Sequence, residues 1–567
     1  MIWNFLKKHY LIIAILIVAL ILRFIGIFYG YPLSLVYDET PGLSAALKMI
    51  GTQSLRANAF QYYYPAGLAY IYLPFLGFYL IITRLLGIFG SVAEMKEAVL
   101  LNLGAFISVV RVVSALLGAA SVFLIYRIAE KLFACRPISL ISAWLLATSF
   151  FHVANSHYGQ TWTAQTFFIL LVLLWSVHLR TKVQTTWRDY LSAGIFIGLA
   201  FSINFVGIIS YFWFLLVHFL KNKSQKFSRI FIANRNFWLT NIVLLLMIGL
   251  VYYLNPFGLN NYFGRIFDSS PTIKSYSPFS LASLQILIAY LKNGFLQESV
   301  LFLLAIPASI VLWRQNKIVF YFLVPWIVLY YFLLAPLTNP MTRYLLPLIP
   351  LLAILAANLL YSFWQKISPR QPRFLIILVF IFSLLSFISS ILYDFRMTKT
   401  DTRVLAYHWV RQNIPADSTI KNFHLGVELP LIENQAIVQL VKEKFPALYS
   451  SQRKYLLSLP ADRYPAPSYF VVNYRDLVDD NQSFDYLILS NFDKNKLSEH
   501  SASLSKAAKL VAKFYPTELS SADDQLWPDP SALQVPFNNY TFNQFSLYRS
   551  YQFYGPYVEI YQLNKNN

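Results

Sequence analysis

Acidic residues are scarce in the first two thirds of this sequence. Residues 1–393 of the 567-residue chain contain eight Asp and Glu residues against 28 Lys and Arg residues. Cysteine is scarcer still, because Cys135 is the one cysteine in the chain. A single cysteine excludes an intramolecular disulfide and a cysteine-rich metal site. Because carboxylates close to lipid are costly, each acidic residue in this part of the chain needs a physical reason.

The composition is that of a membrane protein. Hydrophobic residues make up 57% of the chain and aromatic residues 17%, whereas charged residues make up 13%. These proportions exclude an ordinary soluble protein. The net charge of +20 arises before residue 394, since residues 394–567 contain 18 basic and 18 acidic residues. Lys and Arg between membrane spans are a topological signal, so we do not expect nucleic acid as a partner.

Apolar runs of the ~20 residues that cross a bilayer recur along residues 1–393. The positive-inside rule assigns the basic connections between them to the cytoplasm. The first run is interpreted as an uncleaved span, because no small-residue cleavage site follows it. Eleven spans are predicted near residues 10–29, 109–130, 138–154, 162–179, 189–203, 206–220, 237–254, 298–313, 318–335, 343–361 and 374–393.

A further apolar run at residues 66–90 does not fit this count. If it crossed the membrane alone, the basic loop Arg127 to Arg136 would fall on the external side. Two arrangements keep the total number of spans odd and leave that basic loop in the cytoplasm. In the first, the run is a juxtamembrane or re-entrant helix within one long external loop at about residues 30–108. In the second, a thirteen-span version, this run and a short helix near residues 95–108 both cross.

An odd number of spans leaves the charge-balanced tail outside the cell membrane. Its patterns predict a helix at Asp401 to Asn413 and strands at Tyr469 to Tyr474, Tyr486 to Ser490 and Val558 to Gln562. We therefore predict two domains. Residues 1–393 form an all-α polytopic membrane module of about 11 to 13 transmembrane helices, and residues 394–567 form a small mixed α/β extracytoplasmic domain.

The adjacent carboxylates of Asp38 and Glu39, just past the outer end of the first span, are the best candidates for chemistry. Ionisable residues at membrane depth mark functional sites. The alternative is a purely structural role, in which the pair caps a helix. Tyr37 precedes the pair, and Tyr64 ends an aromatic stretch from Phe60 that is typical of an interfacial aromatic belt.

Arg343 lies on the external side, against the positive-inside bias, and an apolar span follows it. It has two interpretations: a helix end whose side chain snorkels to the interface, or a forked, bidentate ligand for a lipid-linked phosphate. His152 and His157 are five residues apart with no acidic residue nearby, so the sequence predicts a polar cavity there and no metal site.

Several motifs stand out in chain order: the acidic pair with the Tyr-Pro stretch, Arg111 to Gly118, Ser149 to Tyr158, Gly194 to Ser202, and Arg343 to Pro350. Together they resemble the C-type polytopic glycosyltransferases, particularly the protein O-mannosyltransferases and the lipid A aminoarabinose transferases. The resemblance covers about residues 1–393 in architecture and extends more vaguely into the tail through Asp401 to Ser418, and it implies juxtamembrane helices in the first external loop. Two positions depart from the family pattern: Asn204 stands where many relatives have Lys, and Tyr64 stands for the His of a His-Pro-Pro element.

The resemblance implies an inverting glycosyltransferase. It would take a hexose or pentose from a polyprenyl-phosphate carrier and transfer it to a glycan, lipid or protein acceptor outside the cell. Asp38 would be the base or an orienting carboxylate, and Glu39 would orient the acceptor or tune Asp38. No metal or other cofactor is implied. The substrate-binding residues would be Tyr37, Tyr64, Arg111, His157, Arg343 and Tyr344.

A second hypothesis is a transporter or lipid flippase whose binding site uses the same carboxylates. Transporters tend to have repeated halves with broken helices near the membrane midplane. In this sequence the polar groups gather at the outer ends of the spans, and a large external domain follows. This asymmetry favours the enzyme.

Overall fold

The computed structural model describes most of the chain. The described residues are 2–56, 64–256, 277, 279–336, 341–424, 429–473, 483–492, 497–499, 501, 508–516, 544–545 and 555–563. The first part of the aromatic stretch, residues 60–63, lies outside these ranges.

Helices dominate the described chain up to residue 397, as the long apolar runs predict. Their bounds are Ile2–Phe24 (α1), Thr40–Thr52 (α2), Gly67–Leu85 (α3), Val92–Leu101 (α4), Gly104–Phe133 (α5), Arg136–Ala147 (α6), Phe150–Ser156 (α7), Thr161–Thr181 (α8), Trp187–Ile203 (α9), Tyr211–Asn222 (α10), Arg235–Leu254 (α11), Leu281–Gln297 (α12), Ser299–Gln315 (α13), Lys317–Phe332 (α14), Ile349–Ile367 (α15) and Pro372–Met397 (α16). Short 3-10 turns at Tyr37–Glu39, Phe205–Ser210 and Thr342–Leu348 precede α2, α10 and α15.

Within the described ranges, seven helices are long and apolar enough to cross a bilayer. Two further pairs pass the same test but bend at a break, α6 with α7 by 56° and α12 with α13 by 115°. Each of the eleven predicted spans overlaps a helix or a bent pair. The chain is therefore a polytopic membrane protein, while the number of crossings stays a prediction. The seven helices are Gly67–Leu85, Gly104–Phe133, Thr161–Thr181, Phe205–Asn222, Arg235–Leu254, Thr342–Ile367 and Pro372–Met397.

Three helices, α2 to α4, lie between the first span and α5. Helix α3 covers most of the ambiguous run at residues 66–90 and is one of the seven. Helix α4 has ten residues, and at 1.5 Å per residue it measures about 15 Å. Because the hydrocarbon core is about 30 Å thick, α4 is too short to cross. Helix α4 is therefore not the second crossing that the thirteen-span version needs, and whether α3 crosses stays a prediction.

After Met397 the chain forms a small mixed α/β unit. Its helices are Thr402–Asn413 (α17), Gln435–Lys444 (α18) and Ser451–Ser458 (α19), and its strands are Thr419–His424 (β1), Phe470–Val472 (β2), Tyr486–Asn491 (β3), Ala508–Phe514 (β4) and Tyr557–Leu563 (β5). The five strands form one sheet in the order β2-β1-β3-β5-β4. Strand β1 pairs in parallel with β2 and β3, whereas β5 is antiparallel to both β3 and β4.

The predicted helix and three strands of the tail correspond to α17, β2, β3 and β5. Strands β1 and β4 are additional. Buried apolar residues of α17 and of the sheet form one cluster with residues of the stretch after α1, including Tyr29 and Leu33. The division of the chain into domains at residues 393 and 394 stays a prediction.

Helix α3 packs closely against α9 because Gly67 has no side chain. A Cβ atom at Gly67 would lie 2.3 Å from the backbone oxygen of Ser202. Backbone cannot move aside as a flexible side chain can, so this contact requires glycine. Gly77, farther along the same helix, has no atom within 4 Å of the corresponding position.

We predict that Gly67→Ala destabilises the protein whereas Gly77→Ala does not. Overpacking of a close contact costs about 1 to 3 kcal/mol, so the Gly67→Ala protein should aggregate at a lower temperature in detergent. The midpoint of thermal aggregation of the purified protein measures this. Equal midpoints for the two variants would contradict the close packing of α3 on α9.

Candidate active site

Asp38 and Glu39 face two different arginines, although they are neighbours in the chain. Both belong to the 3-10 turn Tyr37–Glu39. A 3-10 helix has three residues per turn, so successive side chains point about 120° apart. Glu39 therefore turns into the protein toward Arg111, and Asp38 turns toward Arg343.

Glu39 and Arg111 form a buried, bidentate ion pair. Arg111 Nε donates to Glu39 Oε1 at 2.8 Å and Nη2 donates to Oε2 at 2.7 Å. The backbone N–H of Gly159 also donates to Oε1 at 2.8 Å. The side chain of Glu39 is 0% exposed and that of Arg111 2%. A buried pair needs this degree of hydrogen bonding to offset its desolvation.

Arg111 also fixes the chain between the first span and the acidic turn. Its Nη1 donates to the backbone oxygens of Tyr29 at 2.5 Å and Ile27 at 3.2 Å. One guanidinium therefore holds Glu39 and the start of the stretch that leads to it. We name residues 29–39 the carboxylate loop.

Asp38 is the accessible member of the acidic pair. Arg343 Nη1 donates to its Oδ2. The Asp38 side chain is 27% exposed, whereas that of Arg343 is 6% exposed. Arg343 is held in the turn Thr342–Leu348, which leads into α15. A partly open carboxylate thus lies against a buried, forked cation, a combination suited to both proton transfer and phosphate recognition.

Aromatic residues surround Arg343. Its guanidinium carbon lies 6.0 Å from the ring centroid of Tyr344, and Tyr64 is close enough to interact with it electrostatically. The Tyr344 ring packs on Trp162 with centroids 4.6 Å apart. Tyr330 donates from its hydroxyl to the backbone oxygen of Tyr344 at 2.8 Å. These contacts fix the turn that carries Arg343.

The remaining predicted site residues are placed differently. His157 is fully buried, with Nδ1 2.9 Å from the oxygen of Val153 and Nε2 2.9 Å from that of Ile25. Its Nε2 also lies 3.4 Å from Asp394 Oδ1. Tyr37 contributes its backbone to the acidic turn, and its side chain lies outside what the structure describes. His157 therefore contacts neighbouring backbone and Asp394.

Two contacts near the site are not among those that the sequence predicts. The first is that of Asp401 and Arg403, at the start of α17, with Tyr29. The second is that of Arg23 at the end of α1, whose Nη2 lies 2.8 Å from His152 Nδ1. No local pattern connects Asp401 with Tyr29, or Arg23 with His152, because the partners are distant in the chain.

Among the residues that the structure describes, no group of three or more His, Cys, Asp or Glu side chains has a geometry that could hold a metal ion. Asp38 and Glu39 are instead paired with arginines, so their negative charges are compensated by the chain itself.

Comparisons with known proteins give one family match. Residues 95–253 match the model of the dolichyl-phosphate-mannose-protein mannosyltransferase family. This match confirms the resemblance to the protein O-mannosyltransferases over that segment. The segment contains Arg111 and His157, whereas Asp38 and Arg343 lie outside it. A comparison with curated proteins finds no match.

Several solved structures match this chain at low identity and with TM-scores below 0.5. ArnT from Cupriavidus metallidurans bound to undecaprenyl phosphate is 13% identical, with 89% of this chain and 96% of that chain covered and a TM-score of 0.49. The apo oligosaccharyltransferase of Archaeoglobus fulgidus is 14% identical, with 72% and 59% covered and a TM-score of 0.45. The S. cerevisiae protein O-mannosyltransferase Pmt1-Pmt2 complex bound to the sugar donor is 20% identical, with 48% and 36% covered and a TM-score of 0.31.

We predict that Glu39→Gln destabilises the protein more than Asp38→Asn. Glu39→Gln takes the carboxylate partner from a buried arginine, and breaking a buried pair costs about 3 to 5 kcal/mol. Asp38→Asn also takes the partner from a buried arginine, Arg343, but the Asp38 side chain is 27% exposed, so water reaches that pair and the cost should be smaller.

The midpoint of thermal aggregation in detergent, measured for both variants and the wild type, checks this prediction. If Glu39→Gln matched the wild type while Asp38→Asn did not, the structural role of Glu39 and the accessible role of Asp38 would have to be exchanged.

Proposed function

We propose that this protein is an inverting glycosyltransferase that moves a hexose or pentose from a polyprenyl-phosphate carrier to an acceptor at the extracytoplasmic face of the membrane. The observation that carries the proposal is the pair of a partly open carboxylate, Asp38, and a buried arginine, Arg343. The family match of residues 95–253 supports the reaction class.

The leaving group of this reaction requires a cation more than a proton. When the anomeric carbon of the sugar parts from the carrier, the bond electrons go to a phosphate oxygen, and the product is a stable anion. Arg343 is buried and presents a planar, forked guanidinium that matches phosphate geometry. A cation fixed in advance beside the developing charge stabilises the transition state without reorganisation.

Asp38 is assigned the acceptor side of the reaction. An attacking hydroxyl forms its bond to the anomeric carbon, on the face opposite the phosphate, and releases a proton. Asp38 accepts that proton as general base. Asp38 and Arg343 contact each other directly in this structure, so this ion pair has to open before a sugar can lie between the base and the phosphate ligand. A phosphate acceptor would need no base, and Asp38 would then orient it.

The other site residues receive supporting roles. Glu39 and Arg111 are buried in their mutual pair, so we assign them to positioning the turn that presents Asp38. Tyr64 and Tyr344, beside Arg343, are assigned to substrate binding together with Tyr37. His157 has no exposed side-chain surface, so we assign it to holding α7, and its contact with substrate stays a prediction.

We propose that the tail, residues 394–567, is an extracytoplasmic domain beside the membrane module of residues 1–393. The support is the positive-inside assignment of the basic loops and the close packing of α17 against the carboxylate loop. Residues of the site come from helix ends on that same side: α1 leads into the carboxylate loop, and Arg343 precedes α15. A transporter or flippase is disfavoured, because its site would lie near the membrane midplane.

The central prediction is that Asp38→Asn abolishes transfer to a hydroxyl acceptor while donor binding persists. The amide is nearly isosteric but cannot take up the proton, and loss of a general base lowers the rate by ~100-fold to 10,000-fold. The assay supplies membranes with radiolabelled polyprenyl-phosphate sugars and follows label that leaves the lipid fraction.

Near-normal turnover of the Asp38→Asn protein with a hydroxyl acceptor would remove the assignment of the base. Retention of turnover with a phosphate acceptor would instead identify the acceptor class.

A second prediction concerns Arg343→Lys, which keeps the charge but loses the planar fork. We expect weaker binding of the lipid donor, with an apparent affinity reduced about 10-fold or more, in protein that remains folded. Arg314→Lys, at the exposed far end of α13, is the matched control. An unchanged donor affinity of the Arg343→Lys protein would return Arg343 to a helix-end role.

A further inference from the structure

The carboxylate loop is held from the tail side as well as from the membrane side. Arg403, in the first turn of α17, donates from Nη1 to the backbone oxygen of Leu35 at 3.3 Å and from Nη2 to the hydroxyl of Tyr29 at 3.0 Å. The same hydroxyl donates to Asp401 Oδ2 at 2.5 Å. Two residues of the carboxylate loop before Asp38, Tyr29 and Leu35, therefore contact one buried pair in the tail.

Asp401 and Arg403 are themselves a bidentate ion pair. Arg403 Nε donates to Asp401 Oδ1 at 2.9 Å and Nη2 donates to Oδ2 at 2.8 Å. The side chain of Asp401 is 0% exposed and that of Arg403 3%. A pair so completely desolvated is weak evidence for stability, because its desolvation offsets most of its Coulombic attraction.

A simple helix cap does not account for this arrangement. Asp401 is the N-cap of α17 and accepts a hydrogen bond from the backbone N–H of Arg403 at 2.8 Å. Capping needs that one bond. It does not need a guanidinium that reaches back to Leu35 and Tyr29, more than 360 residues earlier in the chain. The extra bonds act on the loop.

Arg111 and Arg403 bind different atoms of the carboxylate loop. Arg111 holds the backbone oxygen of Tyr29 and the carboxylate of Glu39. Arg403 holds the hydroxyl of Tyr29 and the backbone oxygen of Leu35. Asp38 lies between Leu35, which Arg403 contacts, and Glu39, which Arg111 contacts. Its position therefore depends on both arginines.

We propose that Asp401 and Arg403 are positioning residues that hold Asp38 in its reactive place, so that the tail is part of the catalytic apparatus. This inference rests on the proposed function. A misplacement of about 1 Å at a reacting group can cost ~100-fold in rate. The pair therefore acts on turnover through the loop, without contact to substrate.

The test uses Tyr29→Phe and Arg403→Lys in the full-length protein. Tyr29→Phe removes one hydroxyl and keeps the buried ring, so it remains informative if Arg403→Lys folds poorly. We expect kcat about 10-fold lower or more in each variant, with the KM for the lipid donor changed less than about threefold. The rate losses should largely disappear in an Asp38→Asn background, because residues that act as a unit are not additive.

The matched control is Arg453→Lys. Arg453 forms a similar bidentate pair with Glu433 elsewhere in the tail, at 2.7 Å and 2.5 Å. A general effect of weakening a tail ion pair would lower the activity of this control as much as that of Arg403→Lys, and that result would overturn the inference. Wild-type kcat in folded Tyr29→Phe and Arg403→Lys proteins would overturn it as well.

A second readout does not depend on turnover. In a Cys135→Ser background, a cysteine at Ser34 in the carboxylate loop should react faster with a thiol reagent when Tyr29→Phe or Arg403→Lys is present, and not when Arg453→Lys is present. Unchanged labelling would show that the pair does not hold the loop. The labelling result is combined with the activity of the Asp38→Asn protein, measured separately. If labelling is faster and Asp38→Asn is inactive, both proposals are supported. If labelling is faster but Asp38→Asn is fully active, the assignment of Asp38 as the base is rejected and the contact between the pair and the loop is kept.

Discussion

The buried ion pair of Glu39 and Arg111 is the interaction on which the candidate site depends. An unpaired charge in this interior would be costly, so each group needs the other. Their contact, with the bonds from Arg111 to the backbone of Tyr29 and Ile27 and from Gly159 to Glu39, joins the carboxylate loop, α5 and the turn before α8. Because Asp38 precedes Glu39 in the same turn, these contacts also determine where Asp38 lies.

Asp38 and Glu39 have different surroundings because the 3-10 turn that contains them points neighbouring side chains in different directions. With three residues per turn, one carboxylate can be buried while the next reaches a partly open surface. Glu39 is buried beside Arg111, whereas Asp38 is partly exposed beside Arg343. Two neighbouring carboxylates thus have different surroundings, and the surroundings of a carboxylate determine which chemical role it can take.

The tail and the membrane helices share a polar and apolar contact region. Tyr158 and Tyr393 bring their hydroxyls to 2.7 Å from one another, linking the stretch before α8 to the end of α16. Four residues later in the chain than Met397, Asp401 begins the contacts with Tyr29. Buried side-chain bonds therefore join the start of the tail to the carboxylate loop.

Local pattern was sufficient for the class of protein and for most of its helices. Apolar runs of membrane length have one stable outcome in lipid, a helix whose backbone bonds are all internal, and the predicted spans overlap helices for this reason. In the tail, alternation revealed β2, β3 and β5. It missed β1, whose residues Lys421 and Asn422 dilute the apolar signal, and β4, which is an edge strand with exposed positions.

The sequence by itself also singled out Asp38, Glu39 and Arg343, because charge is rare and costly beside lipid. Only the tertiary structure decided which carboxylate pairs with which arginine. Glu39 meets Arg111 across 72 residues, Asp38 meets Arg343 across 305, and Tyr29 meets Arg403 across 374. No local pattern encodes such contacts, since they depend on how distant helix ends are brought together by packing.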